Sequence, residues 1–161
     1  LTSNLEENWV FLETKKTNLI ISMVSMLNAQ QNEDRKTRLL TFDRSVAYDD
    51  ENIDQSHLGN LSFTYAETFN VNPVELTDLY DRYKTAYGTV PSRESTRGYE
   101  LMTDLVLRTA TRRELVDGFA VGETQYLQYK FLFQEQVKGF RNEAVYLLQH
   151  KGYETIELAD E

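Results

Sequence analysis

Three short polar clusters each follow a run that reads as a β-strand, and each carries side chains suited to holding a small polar molecule. Glu13, Thr14, Lys15 and Thr17 follow Trp9–Leu12, Asp43 and Arg44 follow Arg38–Phe42, and Tyr65 and Glu67 close the run that starts at Leu61. An open α/β sheet places its ligand outside the carboxyl ends of its strands. The free amides at a helix N-terminus there suit a carboxylate, which is the chemistry offered beside Glu13 and Thr14. Tyr65 offers an aromatic wall and Glu67 a carboxylate for an amine. Asp43 and Arg44 are candidates of the same kind. The plainer alternatives are helix capping and solvent-facing charge for the first cluster, and hinge packing for Tyr65.

The remaining chemistry-bearing residues point away from catalysis. Asp49, Asp50, Glu51 and Asp54 invite a calcium reading, but the loop lacks the glycine and final glutamate of an EF-hand and reads as a solvated acidic loop. The two histidines, His57 and His150, are far apart, and His150 is expected in an exposed hairpin turn. No cysteine is present, so neither a thiolate metal site nor a disulfide frame is available. No glycine-rich phosphate loop or Ser-His-Asp set is readable, which predicts a non-enzymatic chain without metal or cofactor.

The elements that must position these clusters are legible from periodicity. Trp9–Leu12 is a continuous apolar run, expected as a strand buried on both faces. Ile20, Met23, Val24 and Leu27 give the helical period, and Arg38–Phe42 completes a βαβ unit with a parallel partner. A short helix is expected around Ile53–Leu58 and a third strand over Leu61–Tyr65. Asn72-Pro73-Val74-Glu75 opens a helix with Asn as cap and proline at the first helical position. Leu76, Leu79, Tyr80, Tyr83 and Tyr87 line one face of it; Gly88 ends it, and Pro91 supplies an early-turn proline for the next helix. That second helix is expected to bury Tyr99, Met102 and Val106, with Leu101 and Leu105 widening the stripe. A short helix up to Phe119 follows. Leu127–Phe133 then alternates as a one-faced strand, and Ala144–Gln149 and Tyr153–Leu158 form a terminal hairpin.

Size and charge bound the rest. The chain of 161 residues is long enough for one domain with a core, and its net charge of −9 argues against nucleic acid as a partner. The basic cluster Arg35, Lys36 and Arg38 lies beside Glu33 and Asp34 as a solvated loop. No run is long and apolar enough to insert in a membrane. With Leu1 first and no visible signal peptide, the chain reads as a processed or truncated piece.

Leu79, Tyr83, Tyr87, Gly88, Pro91, Gly98, Tyr99 and Glu100 together resemble the type I periplasmic-binding-protein family, the solute receptors of amino-acid-type ABC transporters. The family usually carries Asp where this chain has Glu100. The likeness extends over Trp9–Phe42, Leu61–Phe69 and Gly139–Tyr153, but only to the C-terminal half of a receptor. It also looks like a bacterial subgroup in which such a module is linked to cell-wall-binding (LysM) repeats.

The resemblance implies an α/β, Rossmann-like parallel sheet with flanking helices and an antiparallel C-terminal hairpin. It implies one domain over residues 1–161: a βαβ-β segment over 9–69, a helix pair over 73–109 and a β-rich end over 125–158. The implied function is binding of a small polar solute such as an amino acid in the periplasm or cell envelope, by lobe closure. The alternative is a protein- or cell-wall-interaction module on the same fold. With half a fold absent, apolar faces are expected to be covered by self-association or by the missing N-terminal half.

Overall fold

The computed structural model describes residues 7–70, 73–112 and 114–158. In chain order its elements are β1 (Glu7–Phe11), α1 (Thr17–Ala29), β2 (Lys36–Thr41), α2 (Gln55–Asn60), β3 (Thr64–Glu67), α3 (Pro73–Tyr87) and α4 (Arg93–Thr111). Then follow α5 (Leu115–Phe119), β4 (Thr124–Gln125), β5 (Lys130–Phe131), β6 (Phe133–Gln136), β7 (Gly139–Asn142), β8 (Tyr146–Lys151) and β9 (Glu154–Glu157). The chain divides into two compact units, Leu1–Glu67 with Leu147–Glu161, and Thr68–Tyr146.

The first unit carries a mixed sheet in the order β1-β2-β3-β8-β9. β1, β2 and β3 run parallel, with Val10 opposite Leu39 and Leu40 opposite Thr64, while β8 and β9 form an antiparallel hairpin. The βαβ expectation over residues 9–42 therefore holds. Ile20, Val24 and Leu27 are buried one helical turn apart on α1, and Thr37, Leu39 and Thr41 are buried at alternate positions of β2. Burial of β1 is one-sided: Asn8 is buried, whereas Trp9 and Phe11 are more than half exposed together with Phe42. The continuous apolar run thus reflects two aromatic side chains on an open pleat, not a strand enclosed on both faces.

The third strand begins later than its apolar run. Leu61 ends α2 through its N–H to the carbonyl of His57, and Ser62 turns with a φ of 44°, so the strand starts at Thr64. The short helix lies at Gln55–Asn60, capped by Asp54, whose carboxylate accepts from the Ser56 amide at 2.8 Å. Gly59 is forced by the terminal hairpin: a Cβ there would sit 2.3 Å from the carbonyl oxygen of Gly152.

In the second unit, α3 ends at Gly88, whose φ of 75° suits only glycine comfortably. The expected cap at Asn72 lies outside the described residues. Pro91 does not enter the first turn of α4, because Ser92 is the cap and its hydroxyl accepts from the Ser95 amide at 3.2 Å. The expected strand over Leu127–Phe133 is divided. Residues 130–131 pair with β4, and β6 pairs with β7 in a hairpin not anticipated from sequence. Asn142 holds the junction, accepting from the Leu132 amide at 2.8 Å and donating to the Lys130 carbonyl at 2.9 Å.

The main correction concerns α4. Tyr99, Met102 and Val106 are 61%, 59% and 58% exposed, and the buried positions are Thr96, Glu100, Asp104 and Arg108. Four polar side chains can lie inside because each finds partners there. Glu100 accepts from the backbone amides of Gln128 (3.2 Å) and Tyr129 (2.9 Å). Burial pushes its carboxyl up from the usual range, against the pull of those two amides. Arg108 donates to Asp104 at 2.6 Å, to the carbonyls of Gly118, Gly122 and Phe131 at 3.0, 3.0 and 3.1 Å, and to the Thr124 hydroxyl at 2.9 Å. Asp104 in turn accepts from Thr124 (2.6 Å) and Tyr126 (3.1 Å).

Removing one member of a buried ion pair strands the other, at a cost of about 3–5 kcal/mol. Arg108→Met is therefore expected to lower the stability of the second unit by about that amount. Arg108→Lys should not restore it, since an ammonium cannot fork to the same set of acceptors. Urea unfolding followed by far-UV circular dichroism measures both; a loss below about 1 kcal/mol for Arg108→Met would show the network to be dispensable.

Candidate functional site

The candidate residues of the first unit converge at the carboxyl ends of β1, β2 and β3, but not all in one group. Glu13 lies just past β1 and reaches β2, accepting from the Thr41 hydroxyl at 3.0 Å and from the Phe42 amide. This carboxylate ties two strand ends together. Thr14 acts locally, its hydroxyl accepting from the Lys16 amide at 3.2 Å ahead of α1. Lys15 and Asp43 form a solvent-exposed ion pair at 3.0 Å. A pair this exposed contributes little stability.

Arg44, Tyr65 and Glu67 form the second group. The Arg44 guanidinium lies over the Tyr65 ring, 5.1 Å from its centroid, and makes a two-pronged contact with the Asp49 carboxylate, one prong at 3.2 Å. Burial pushes the guanidinium down, but the hydrogen bond and charge of Asp49, with Tyr65 and Glu67 adding, hold it above its ordinary value. The Nε of Arg44 and the hydroxyl of Ser45 are buried and have no hydrogen-bond partner among the described residues. Two donors at this edge are thus unspent.

Beneath this group runs an aromatic column. Tyr48 stacks on Phe63 at 4.5 Å, and Phe63 and Tyr65 both contact His150, at 5.6 and 6.0 Å. The Tyr48 hydroxyl donates to the Leu12 carbonyl at 3.2 Å, and burial raises it to about 12. Burial also pushes the Tyr65 phenol up, with Arg44 pulling the other way. This column sets the height of the Tyr65 ring and hence of the guanidinium above it.

His150 is a correction. It is buried in β8, not exposed in the hairpin turn, which falls at Gly152 and Tyr153. The sequence carried the signal, since Tyr146, Leu148 and His150 alternate along one face of the strand. Asp49 was submerged in the acidic run, where its role against Arg44 has no local signature. Two further members of that run are used by the chain itself. Asp50 accepts from the Asn52 amide at 2.9 Å and Asp54 caps α2; these hydrogen bonds hold both carboxyls below their usual value. No group of three or more His, Asp or Glu side chains placed to hold a metal ion occurs among the described residues. None of the described helices is long and apolar enough to cross a membrane.

In the second unit, α3 and α4 enclose an apolar groove of about 330 Å³ lined by Leu79, Tyr83, Tyr87, Pro91, Ser95 and Tyr99. None of the three tyrosines is fully buried, contrary to the expectation of a core stripe.

No family model matches the chain, and no curated protein or solved structure shows significant similarity to it.

Burial and the nearby Arg44 charge lower the proton affinity of His150, which Asp49 only partly offsets; Tyr65 packs against its ring. The unfolded chain protonates this histidine near pH 6.5 while the folded chain resists, so stability present above that value is lost as pH falls below it. Denaturant midpoints of the first unit should therefore drop between pH 7.5 and pH 5.5. In His150→Gln the drop should shrink; an unchanged difference would place the pH sensitivity elsewhere.

Proposed function

We propose that the chain is a non-enzymatic ligand-binding domain of the solute-receptor kind, taking a small polar solute such as an amino acid in the periplasm or cell envelope. The observation that carries this reading is the Arg44 group. A guanidinium seated on an aromatic ring, flanked by Glu67 and Asp49, stands where three parallel strands end. Loops at strand ends of this kind are where α/β sheets bind their ligands. A carboxylate of the solute takes the place of Asp49 on the outward guanidinium nitrogens of Arg44, beside the unpartnered Nε and the Ser45 hydroxyl. Tyr65 walls its apolar part, and Glu67 holds an amine. Glu13 and Asp43 act on this reading by fixing the loops, Glu13 by spanning β1 and β2 and Asp43 by pairing with Lys15. The resemblance of the α3–α4 sequence to solute receptors supports the same reading.

A second reading, a protein- or cell-wall-interaction module, is favoured by the exposed aromatic side chains of Trp9, Phe11 and Phe42. Phe11 and Phe42 stack at 5.3 Å and make a surface that a macromolecule could cover.

A thermal-shift screen against amino acids, short peptides, sugars and muropeptides separates the two. One class bearing both amine and carboxylate is expected to raise the melting temperature saturably, and ligand at a hundredfold its Kd adds about 2.7 kcal/mol. Arg44→Ala should weaken that response at least roughly tenfold while circular dichroism stays unchanged. A flat response to every class by folded protein would overturn the solute reading, and a response only to muropeptides that survives Arg44→Ala would favour the second.

A further inference from the structure

The outward face of α4 is built for burial, yet it is exposed. At 100° per residue, Ser95, Gly98, Tyr99, Met102, Leu105, Val106 and Thr109 lie opposite the buried Thr96, Glu100, Asp104 and Arg108. None of the seven is charged, although the chain carries a net charge of −9. Its two small hydroxyls are already in use: that of Thr109 donates to the Leu105 carbonyl at 2.7 Å, and that of Ser95 lies 3.2 Å from that of Ser92. Covering this face therefore strands neither of these two hydroxyls.

Gly98 makes the case sharper. A glycine inside a helix costs about 1 kcal/mol relative to alanine. Within the chain nothing requires it here, since a Cβ at Gly98 would meet no atom within 4 Å and its backbone has no positive φ. A missing side chain on an outward, uncharged helix face is what close approach by another backbone needs.

We infer that α4 is the interface of a twofold dimer of this chain, packed antiparallel on α4 of a second copy about an axis through Met102. That axis sets Gly98 of one copy against Val106 of the other, Ser95 against Thr109, and Tyr99 against Leu105. Each notch meets a larger side chain, and the arrangement is the same for both copies, as an isologous interface requires. No charged side chain of the face is brought against its like across the axis, so the overall charge of −9 is not concentrated at the contact. Tyr87, Tyr99, Met102 and Val106, each more than half exposed, present on the order of 500 Å² of side-chain surface. Tyr87 and Tyr99 line one groove, so the patch is continuous from α3 onto α4. Two copies together can thus cover up to about 1,000 Å² from these residues alone, the size at which specific interfaces begin.

Sedimentation equilibrium of the intact chain tests this, with a dimer of twice 18.8 kDa expected at micromolar concentration. Met102→Glu should weaken association roughly a hundredfold with unchanged circular dichroism, because it places two carboxylates at the axis. As the chain has no cysteine, Met102→Cys should also oxidise to a covalent dimer, whereas Val121→Cys, exposed on a loop, should not. A monomer up to about 100 μM would overturn the proposal, since an interface of this class holds at such concentrations. So would a dimer that survives Met102→Glu or fails to cross-link through Met102→Cys, which would place the contact on another surface such as the Trp9–Phe11–Phe42 face.

Discussion

Arg108 is the constraint from which the second unit follows. A guanidinium keeps its charge at any pH the protein meets, so burying one is tolerable only where every face of it finds an acceptor. Here the acceptors come from four places in the chain: Asp104 on the same helix, the carbonyls of Gly118 and Gly122, Thr124, and the Phe131 carbonyl. Satisfying one side chain thereby fixes α5, the loop after it and the β4–β5 ladder against α4. Gly118 is part of the same bargain, since a Cβ there would come within 2.8 Å of the Arg108 Cβ. Once charge fills the inner face of α4, the apolar residues of that helix are left for the outer one.

The first unit is held by different physics. Its core is apolar and aromatic, from Ile20, Val24 and Leu27 through Leu39 and Leu58 to the stacked Tyr48 and Phe63. Such burial is worth about 25 cal/mol per Å² and has no direction, so it does not by itself position loops. Glu13 supplies the direction, bridging the ends of β1 and β2 through Thr41 and the Phe42 amide. His150 lies at the upper end of the aromatic column, where its neutral form packs as a ring against Phe63 and Tyr65.

What could be read from the sequence was what local periodicity encodes. The βαβ segment and α1 emerged correctly because Ile20, Val24 and Leu27 and the alternation of β2 each report burial within a single element. The face of α4 could not be read in the same way. Hydropathic period assumes that apolar residues point inward, and Glu100 and Arg108 reverse the assumption by finding partners 10 to 29 residues further along the chain. The candidate loops were located by the general rule for strand ends, and two of their residues, Arg44 and Glu67, gather around a third, Tyr65. The partners that complete the group, Asp49 and His150, arrive from a 3₁₀ turn and from a strand some hundred residues away. Long-range pairing of this sort leaves no spacing to find.

Arg44 and Arg108 show how burial decides what one side-chain type is for. Both stand over an aromatic ring and both engage an aspartate. Arg108 is enclosed with Asp104, and replacing any of its partners would require a charge to be stripped bare inside the unit. Arg44 keeps part of its surface in water, and its partner Asp49 is more than half exposed. Opening that pair releases the Asp49 charge to water, and an incoming anion takes its place on the guanidinium, so the exchange leaves no buried charge bare. A solute carboxylate can thus compete with Asp49 for Arg44 without disturbing the sheet, while the aromatic column below keeps the guanidinium at its post. The fixed arginine builds the second unit; on the reading proposed above, the exchangeable one is where an acceptor from outside would be recognised.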